Sequence, residues 1–426
     1  MKLSIIALAL SAIFSSPAFS GADAGIYDKA RDMSASVTSL NGVKVELTGN
    51  RAHPNNIIIQ AELPIIKFEG LTFKGGQQIV QGYEKIEGKG YYAGFVNKYL
   101  DKINKIFTSE QIATATKTSE DFINDFPRLE SFVEGLASEA GLTKQQVLLA
   151  FWAEDALASH SIKKMGVELF EGSDFKLHGE KNVKGCTVTG FTNGIIGQNM
   201  DLSIDVTGAS VTWKSPELIA SGPSPFHPVM NMSRNLATNT NTIDIFSTLA
   251  LEKGVSTGLL YIATITNATT VDEAEKLMAK YQLAASASTT MADKQGGLKT
   301  LEWHANGFTT FEAEKEGYIV HTNHLRGREQ ETADALFDGD MRQFNIFVKE
   351  TLGRYYTTAE FMKYDIERNA NSIKAVLSQR PVLLSPTAGN SFVTSMSNVS
   401  DLNEGCQYIS PYRPDLTDYV EVCFDK

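Results

Sequence analysis

Cys186 is the residue whose surroundings most directly suggest chemistry. It follows Gly185, begins the β-rich run CTVT, and precedes the polar sequence GQNMD at residues 197–201. If the Gly185–Cys186 peptide bond were cut, Cys186 would become an N-terminal residue. Its released α-amino group, with an ordinary pKa near about 8, could then act as the general base for its own thiol. The pattern therefore predicts a self-processing amidase that needs no partner histidine.

The cysteine count is consistent with a reactive Cys186. The chain has three cysteines, Cys186, Cys406 and Cys423, and an odd number in an oxidising compartment calls for a reactive or intermolecular thiol. A disulfide between Cys406 and Cys423 would cross-link the C-terminal tail. The entropy of closing a loop of this length predicts that the bond stabilises the folded state by about 3 kcal/mol. This pairing leaves Cys186 outside the bridge. The alternative is that all three are reduced and Cys186 is a buried packing residue.

The N-terminus reads as a secretory signal. Residues 1–20 carry an early lysine, an apolar run too short to span a bilayer, and the small residues of an A-x-A-like cleavage site. A membrane anchor or a buried first strand is disfavoured because nothing hydrophobic continues beyond Ser20. We expect a secreted or periplasmic protein without membrane insertion. The predicted divisions are a signal peptide (1–20), an N-terminal segment (21–185) and a catalytic chain with the stapled tail (186–426).

Composition and missing motifs exclude several functions. The 50 acidic and 39 basic residues give a net charge of −11, which argues against nucleic acid as a partner. No GxGxxG, P-loop or HExxH sequence occurs, so no cofactor and no metal is expected. His321 and His324 have a spacing that zinc ligands use on helices. They end a strand-like run, however, where this spacing predicts rings on opposite faces.

The pattern of elements predicts an α+β protein. Helical periodicity dominates upstream of Cys186, including a helix from residue 127 to about 137 and another beginning after Thr143. Short strands follow, at residues 186–192, 195–198, 202–206 and 209–213. Further helices are predicted over residues 332–351 and 358–369. Separate blocks of strands and helices favour α+β architecture over alternating βαβ units.

Several of these segments resemble one known family. They are the GCT sequence at Cys186, the downstream GQNMD, the HTNH sequence at residues 321–324, and the order of flanking helices between residues 126 and 328. They are similar to the acyl-coenzyme A:6-aminopenicillanic acid acyltransferases (peptidase family C45), which are N-terminal nucleophile (Ntn) hydrolases. Choloylglycine hydrolases and penicillin V acylases are related. The resemblance implies a four-layer αββα sandwich with two stacked antiparallel sheets.

The resemblance also implies roles for individual residues. Cys186 matches the nucleophile exposed by autocatalytic cleavage after Gly185. Asp201 matches the acid near the nucleophile's amine, and Asn199 lines the same pocket. Asn323 resembles the amide that helps to hold the tetrahedral oxyanion. The structural alternative for Asn199 and Asp201 is a tight turn between strands.

Three further residues are assigned to substrate binding by this resemblance: Asn231, His321 and His324. The sequence departs from the family around Asn231, because residues 230–237 read MNMSRNLA and lack the family's glycines. This departure supports an alternative in which the scaffold is a secreted binding protein without catalysis.

The function predicted from these observations is hydrolysis of a small-molecule substrate at a linear, non-peptide amide bond through an acyl-thioester on Cys186. Hydrolysis is favoured over acyl transfer because free coenzyme A is not expected outside the cytoplasm. The two chains formed by self-cleavage are expected to stay associated. A second alternative is an uncut thiol acyltransferase or thioesterase, in which His321 or His324 would have to reach Cys186.

Overall fold

The structure is a computed structural model of the chain. It describes residues 46–48, 58–60, 63–170, 185–203, 210–226, 228–243, 251–304, 307–328, 338–364, 367–385 and 392–425. The predicted signal peptide lies outside the described residues, as does the stretch 171–184 just before the predicted cleavage site.

Five helices precede Cys186 in the described part of the chain. They are α1 (Phe73–Glu87), α2 (Tyr91–Ile106), α3 (Ser109–Asn124), α4 (Pro127–Ala140) and α5 (Lys144–Phe170). Local signals set several of their ends. The Thr72 side chain caps α1, and Thr108 forms a capping box with Gln111 at the start of α3. Helix α4 starts with Pro127 and ends at Gly141, whose φ of 67° is left-handed.

Four more helices follow the predicted cleavage site in the described residues. They are α6 (Thr257–Asn267), α7 (Val271–Met278), α8 (Met341–Lys363) and α9 (Ala370–Leu377). No helix of the described chain combines the length and apolar character that crossing a membrane requires.

The strands form two large sheets and a small hairpin. The hairpin pairs β1 (Glu46–Thr48) with β2 (Ile58–Gln60). The remaining strands are β3 (Ile65–Lys67), β4 (Gly185–Phe191), β5 (Ile195–Ser203), β6 (Val211–Lys214), β7 (Ile219–Gly222), β8 (Met230–Met232), β9 (Leu236–Thr242), β10 (Ala287–Asp293), β11 (Leu298–His304), β12 (Gly307–Glu312), β13 (Tyr318–His321), β14 (Phe392–Asp401), β15 (Cys406–Ser410) and β16 (Val420–Cys423). An eight-stranded sheet has the order β12-β11-β10-β9-β8-β7-β6-β3, and a six-stranded sheet has the order β13-β4-β5-β14-β15-β16. Among the described strands listed above, every pairing is antiparallel except that of β3 with β6.

The two sheets lie face to face. The buried cluster between them contains Cys186, with Ile219 and Met230 from the eight-stranded sheet and Met200 and Met396 from the six-stranded sheet. The thiol therefore belongs to the layer between the sheets. Cys186 is therefore buried in the centre of the described part of the molecule.

Helices cover both outer faces. Helices α1 to α7 pack on the eight-stranded sheet, where the rings of Phe132 and Trp213 lie 6.1 Å apart. Helices α8 and α9 pack on the six-stranded sheet, where Ile373 joins Phe191 and Val399 in one cluster. The order of layers is thus α, β, β, α, and the predicted α+β four-layer αββα sandwich is confirmed.

Two boundaries differ from the sequence prediction. The strands expected at residues 195–198 and 202–206 form one strand, β5, so Asn199 and Asp201 lie within a strand and the tight-turn interpretation is wrong. Helix α8 runs through residues 352–357, where a break was expected. In both cases pairing or packing over the whole length outweighs the weak local signal for a turn.

Candidate active site

Gly185 and Cys186 open β4, an inner strand of the six-stranded sheet. Antiparallel pairing with β5 sets Gly185 opposite Asp201 and Cys186 opposite Met200. Opposite residues of such a pair direct their side chains to the same face, and consecutive residues alternate. The Cys186 side chain therefore points between the sheets, whereas Asp201 points toward the layer of α8 and α9. Only 8 % of Cys186 is exposed.

Three buried hydrogen bonds hold the backbone at Cys186 and the residue after it. The Cys186 N–H donates to Oδ1 of Asn323 over 2.7 Å. Nη1 of Arg354 donates to the Cys186 carbonyl over 2.6 Å and to Oγ1 of Thr187 over 3.0 Å. The peptide nitrogen of the predicted scissile bond is therefore held by a side chain 137 residues away.

Asn323 is fixed in one orientation by its own partners. Its Oδ1 also accepts from Nη2 of Arg354 over 2.9 Å, and its Nδ2 donates to the Thr242 carbonyl over 2.6 Å. The backbone N–H of Asn323 donates to Oγ1 of Thr351 over 2.7 Å. Two donors at Oδ1 and one acceptor at Nδ2 define which atom is oxygen. The predicted oxyanion role would use Nδ2, which here binds Thr242.

Arg354 is the site residue that the sequence analysis missed. It lies in α8, is fully buried, and contacts Cys186, Thr187 and Asn323 through its guanidinium. Its local sequence, LGRYY in an ordinary helical segment, carries no signal for such a role. A planar guanidinium can serve several acceptors at once, which suits it to organise polar groups in a buried site.

Asp201 is a buried carboxylate beside the predicted cleavage site. Its Oδ1 accepts from Oγ1 of Thr394 over 2.5 Å, and none of the described residues hydrogen-bonds its Oδ2. Burial raises the pKa of Asp201 from 3.8 to about 7, against the lowering effects of Arg354 and Thr394. The carboxyl group can therefore carry a proton near neutral pH. It lies next to Gly185, its partner across β4 and β5.

Asn199 occupies a different environment from the thiol. Its Nδ2 donates to the carbonyls of Leu377 over 2.7 Å and Val382 over 3.3 Å. These contacts lie on the helix-facing side of the sheet, whereas Cys186 points between the sheets. The structure does not bring the Asn199 side chain to the thiol. It instead fixes the end of α9 against β5.

Asn231 is likewise directed away from Cys186. Its Nδ2 donates to the Pro228 carbonyl over 2.7 Å. Its neighbour Met230 belongs to the cluster around Cys186, and consecutive residues of β8 point to opposite faces. The structure therefore does not bring the side chain of Asn231, predicted to bind substrate, to Cys186.

His321 and His324 lie on either side of Asn323, and their rings are close. The centroids of the two rings are 6.4 Å apart and the ring planes are nearly parallel. The expectation that the two rings lie on opposite faces is therefore wrong. Strand β13 ends at His321, and strand alternation no longer applies beyond it. His321 contacts Oγ of Ser288 (2.8 Å) and Oε1 of Glu302 (2.6 Å). Burial lowers the pKa of His324 from 6.5 to about 3, helped by the charges of His321 and two arginines, so His324 is neutral.

The disulfide predicted in the C-terminal tail is present. Cys406 and Cys423 face each other on β15 and β16 and are bonded. Together with Glu421 they form the one group with metal-ligand spacing in the described chain. Because both sulfurs belong to the disulfide, they are not thiolate ligands.

Comparison with known families identifies the central part of the chain. The family model of the acyl-coenzyme A:6-aminopenicillanic acid acyl-transferases matches residues 190–374. The predicted resemblance to this family is confirmed. The acyl-transferase match begins just after Cys186 and includes Asp201, Asn323 and Arg354.

The solved structures that are similar to this chain are distant in sequence. A mutant of the conjugated bile acid hydrolase from Clostridium perfringens is 12 % identical, over 57 % of this chain and 97 % of that one, with a TM-score of 0.36. The Caenorhabditis elegans ortholog of N-acylethanolamine-hydrolyzing acid amidase is 13 % identical over 51 % and 92 % (TM-score 0.36). Penicillin V acylase from Agrobacterium tumefaciens is 17 % identical over 55 % and 77 % (TM-score 0.33). No curated protein matches the chain significantly.

Proposed function

We propose that this protein is an exported, self-processing cysteine Ntn hydrolase. It cuts itself between Gly185 and Cys186 and then hydrolyses a linear, non-peptide amide. One observation carries the proposal: Asn323 and Arg354, both fully buried, converge on the backbone of the only cysteine outside the disulfide. Burying two polar side chains is costly in an ordinary core, and here both bind the backbone of one residue, Asn323 at its N–H and Arg354 at its carbonyl.

The self-cleavage step follows from this geometry. The Cys186 thiol attacks the Gly185 carbonyl carbon, an S–C bond forms, and the C–N bond to Cys186 breaks. The leaving nitrogen needs a proton, and protonated Asp201 beside Gly185 can supply it. The proton that the thiol loses then restores the Asp201 carboxyl group, so the step only moves a proton from sulfur to nitrogen. Water then hydrolyses the thioester, which releases the Gly185 carboxylate and restores the thiol.

Turnover of substrate would reuse the same groups. The new α-amino group of Cys186 takes the thiol proton, and the thiolate attacks the substrate carbonyl. The substrate amine leaves with that proton, and water hydrolyses the acyl-thioester. The description of the matched family as acyl-transferases supports acyl chemistry at this site. We favour water as the acceptor because residues 1–20, outside the described part of the chain, read as an export signal.

The contacts between the two parts support their staying together after cleavage. Helices α1 to α5 share the large core cluster with the eight-stranded sheet, and β3 pairs with β6. Oδ2 of Asp155 accepts from the Thr257 N–H at the start of α6 over 2.6 Å. An extensive apolar interface of this kind is typical of permanent association.

The uncut thiol enzyme is a weaker candidate. It requires a histidine base at Cys186, but both ring nitrogens of His321 are engaged by Ser288 and Glu302. The low pKa of His324 makes it a poor proton acceptor.

Intact mass and N-terminal sequencing of the purified protein test the proposal. We expect two chains, one beginning at Cys186, and a single chain for Cys186→Ala. Thermal unfolding of both proteins controls for folding. A single uncut chain in the wild type would refute self-processing. Cleavage at the same bond in Cys186→Ala would assign the cut to another protease.

A further inference from the structure

Glu302 is a fully buried carboxylate on β11, and both of its oxygens are used. Oε1 lies 2.6 Å from Nε2 of His321 and accepts from the Arg326 N–H over 2.8 Å. Oε2 accepts from the same N–H over 2.9 Å. The guanidinium of Arg326 points away from Glu302: it donates to Glu314 and lies over the ring of Tyr355. Glu302 therefore binds the backbone of Arg326 and not its charged group.

The partners of Glu302 are the two ends of the segment that carries Asn323. This segment, residues 321–326, leaves the sheet at His321, so no strand ladder fixes its further course. Hydrogen bonds from side chains fix the position of this segment instead. Besides Glu302, Nδ2 of Asn241 donates to the carbonyls of His321 over 3.0 Å and Thr322 over 3.2 Å.

We propose that Glu302 is a positioning residue for the nucleophile. It fixes segment 321–326 at both ends and thereby holds Oδ1 of Asn323 against the Cys186 nitrogen. It acts through Asn323 rather than on the reacting atoms. This inference rests on the proposed function, in which that nitrogen is the leaving group of self-cleavage.

Loss of the carboxylate has a direct physical consequence. The Arg326 N–H, and the His321 ring nitrogen with it, would be left without a partner in a buried place, so the segment would move to find new ones. A displacement of about 1 Å in a positioned group can slow a reaction by about 100-fold. The effect should therefore reach Cys186 although Glu302 does not touch it.

Thr300 offers a matched control. It lies two residues from Glu302 on the same strand, hence on the same face, and is also fully buried. Its Oγ1 makes a 2.8 Å hydrogen bond to Oγ1 of Thr290 and no described bond to segment 321–326. Thr300→Val removes a buried polar contact of β11 without affecting Asn323.

The test compares the rate at which the Cys186 N-terminus appears, by mass, in the wild type, Glu302→Ala, Glu302→Gln and Thr300→Val. We expect Glu302→Ala to slow cleavage by about 100-fold. Glu302→Gln should recover part of the rate because its oxygen can still accept from Arg326. Thr300→Val should cleave at the wild-type rate. If Glu302→Ala melts like Thr300→Val and also cleaves at the wild-type rate, the proposal is overturned.

Hydrogen–deuterium exchange of the uncut Cys186→Ala chain gives a readout that needs no activity. Adding Glu302→Gln should speed exchange in the peptides covering 321–326 and 186–191, and adding Thr300→Val should speed neither. If exchange becomes faster in residues 321–326 but stays unchanged in residues 186–191, the positioning role of Glu302 is rejected. If the wild type is never cut, the proposed function fails, and this exchange experiment alone decides the role of Glu302.

Discussion

Gly185 and Asp201 face each other across β4 and β5 so closely that no side chain fits between them. A Cβ atom on Gly185 would lie 2.5 Å from Oδ2 of Asp201 and 2.6 Å from Cδ1 of Leu384. Glycine suits position 185 because the carboxylate of Asp201 occupies the space that a side chain there would need.

Gly185→Ala should impair self-cleavage. The added methyl group must displace either Asp201 or the start of β4, and both belong to the proposed cleavage machinery. The time course of cleavage by intact mass measures the effect. Gly353→Ala is the matched control, because a Cβ there meets nothing within 4 Å. Normal cleavage by Gly185→Ala would show that this close approach is unimportant.

Asp201→Asn should change how stability depends on pH. Burial raises the pKa of Asp201 from 3.8 to about 7, so the folded protein prefers the protonated acid. The contribution of the protonated acid to the free energy of unfolding is fully present below about pH 4. It is lost as the pH rises toward about 7, a change of about 4 kcal/mol. We expect urea midpoints of the uncut Cys186→Ala chain to fall over this range, and to fall less with Asp201→Asn. Asp155, whose pKa burial also raises to about 7, should account for part of the remaining slope. Parallel curves with and without Asp201→Asn would contradict the raised pKa.

Asn323→Asp separates two possible roles of Asn323. The substitution keeps an oxygen to accept from the Cys186 N–H and Arg354, but it removes the Nδ2 donor. If that donor stabilises the oxyanion, turnover of acyl p-nitroanilides should fall by about 100- to 1,000-fold. Asn323→Ala, which removes both functions, should also slow self-cleavage. Full turnover by a correctly folded Asn323→Asp protein would refute the predicted oxyanion role.

Arg354→Lys should be far from conservative. A lysine ammonium cannot serve the Cys186 carbonyl, Thr187 and Asn323 in the planar arrangement of the guanidinium. We expect slower self-cleavage, by about 100-fold, if each lost contact matters as a preorganised donor does. Arg342→Lys, at an exposed position of α8, provides the control. Equal cleavage rates in the two variants would show that the guanidinium of Arg354 is not needed for self-cleavage.

The disulfide should stabilise the tail without affecting the nucleophile. Replacing both Cys406 and Cys423 by alanine should lower the free energy of unfolding by about 3 kcal/mol for a loop of this length. Thiol titration of the unfolded wild type should find one thiol before reduction and three after it. More than one thiol before reduction would contradict the pairing, and loss of self-cleavage in the double variant would link the tail to the site.

Local chemistry explains what could be predicted. Helix α4 is recognisable from Pro127 and Gly141 because helix caps act within a few residues. The disulfide followed from counting three cysteines. The faces of Asn199 and Asn231 were not predictable in the same way, because the direction of a side chain depends on strand boundaries and pairing partners.

The sequence by itself determined the candidate nucleophile, the disulfide, the helix ends and the family resemblance. The tertiary structure alone decided that Asn323 and Arg354 meet at Cys186 and that Glu302 contacts both ends of segment 321–326, which carries Asn323. These residues are 137, 168 and 116 positions from Cys186 in the chain. No local pattern encodes such contacts. They form because two sheets and a covering helix pack their buried faces together, and buried polar groups must then find partners across the layers.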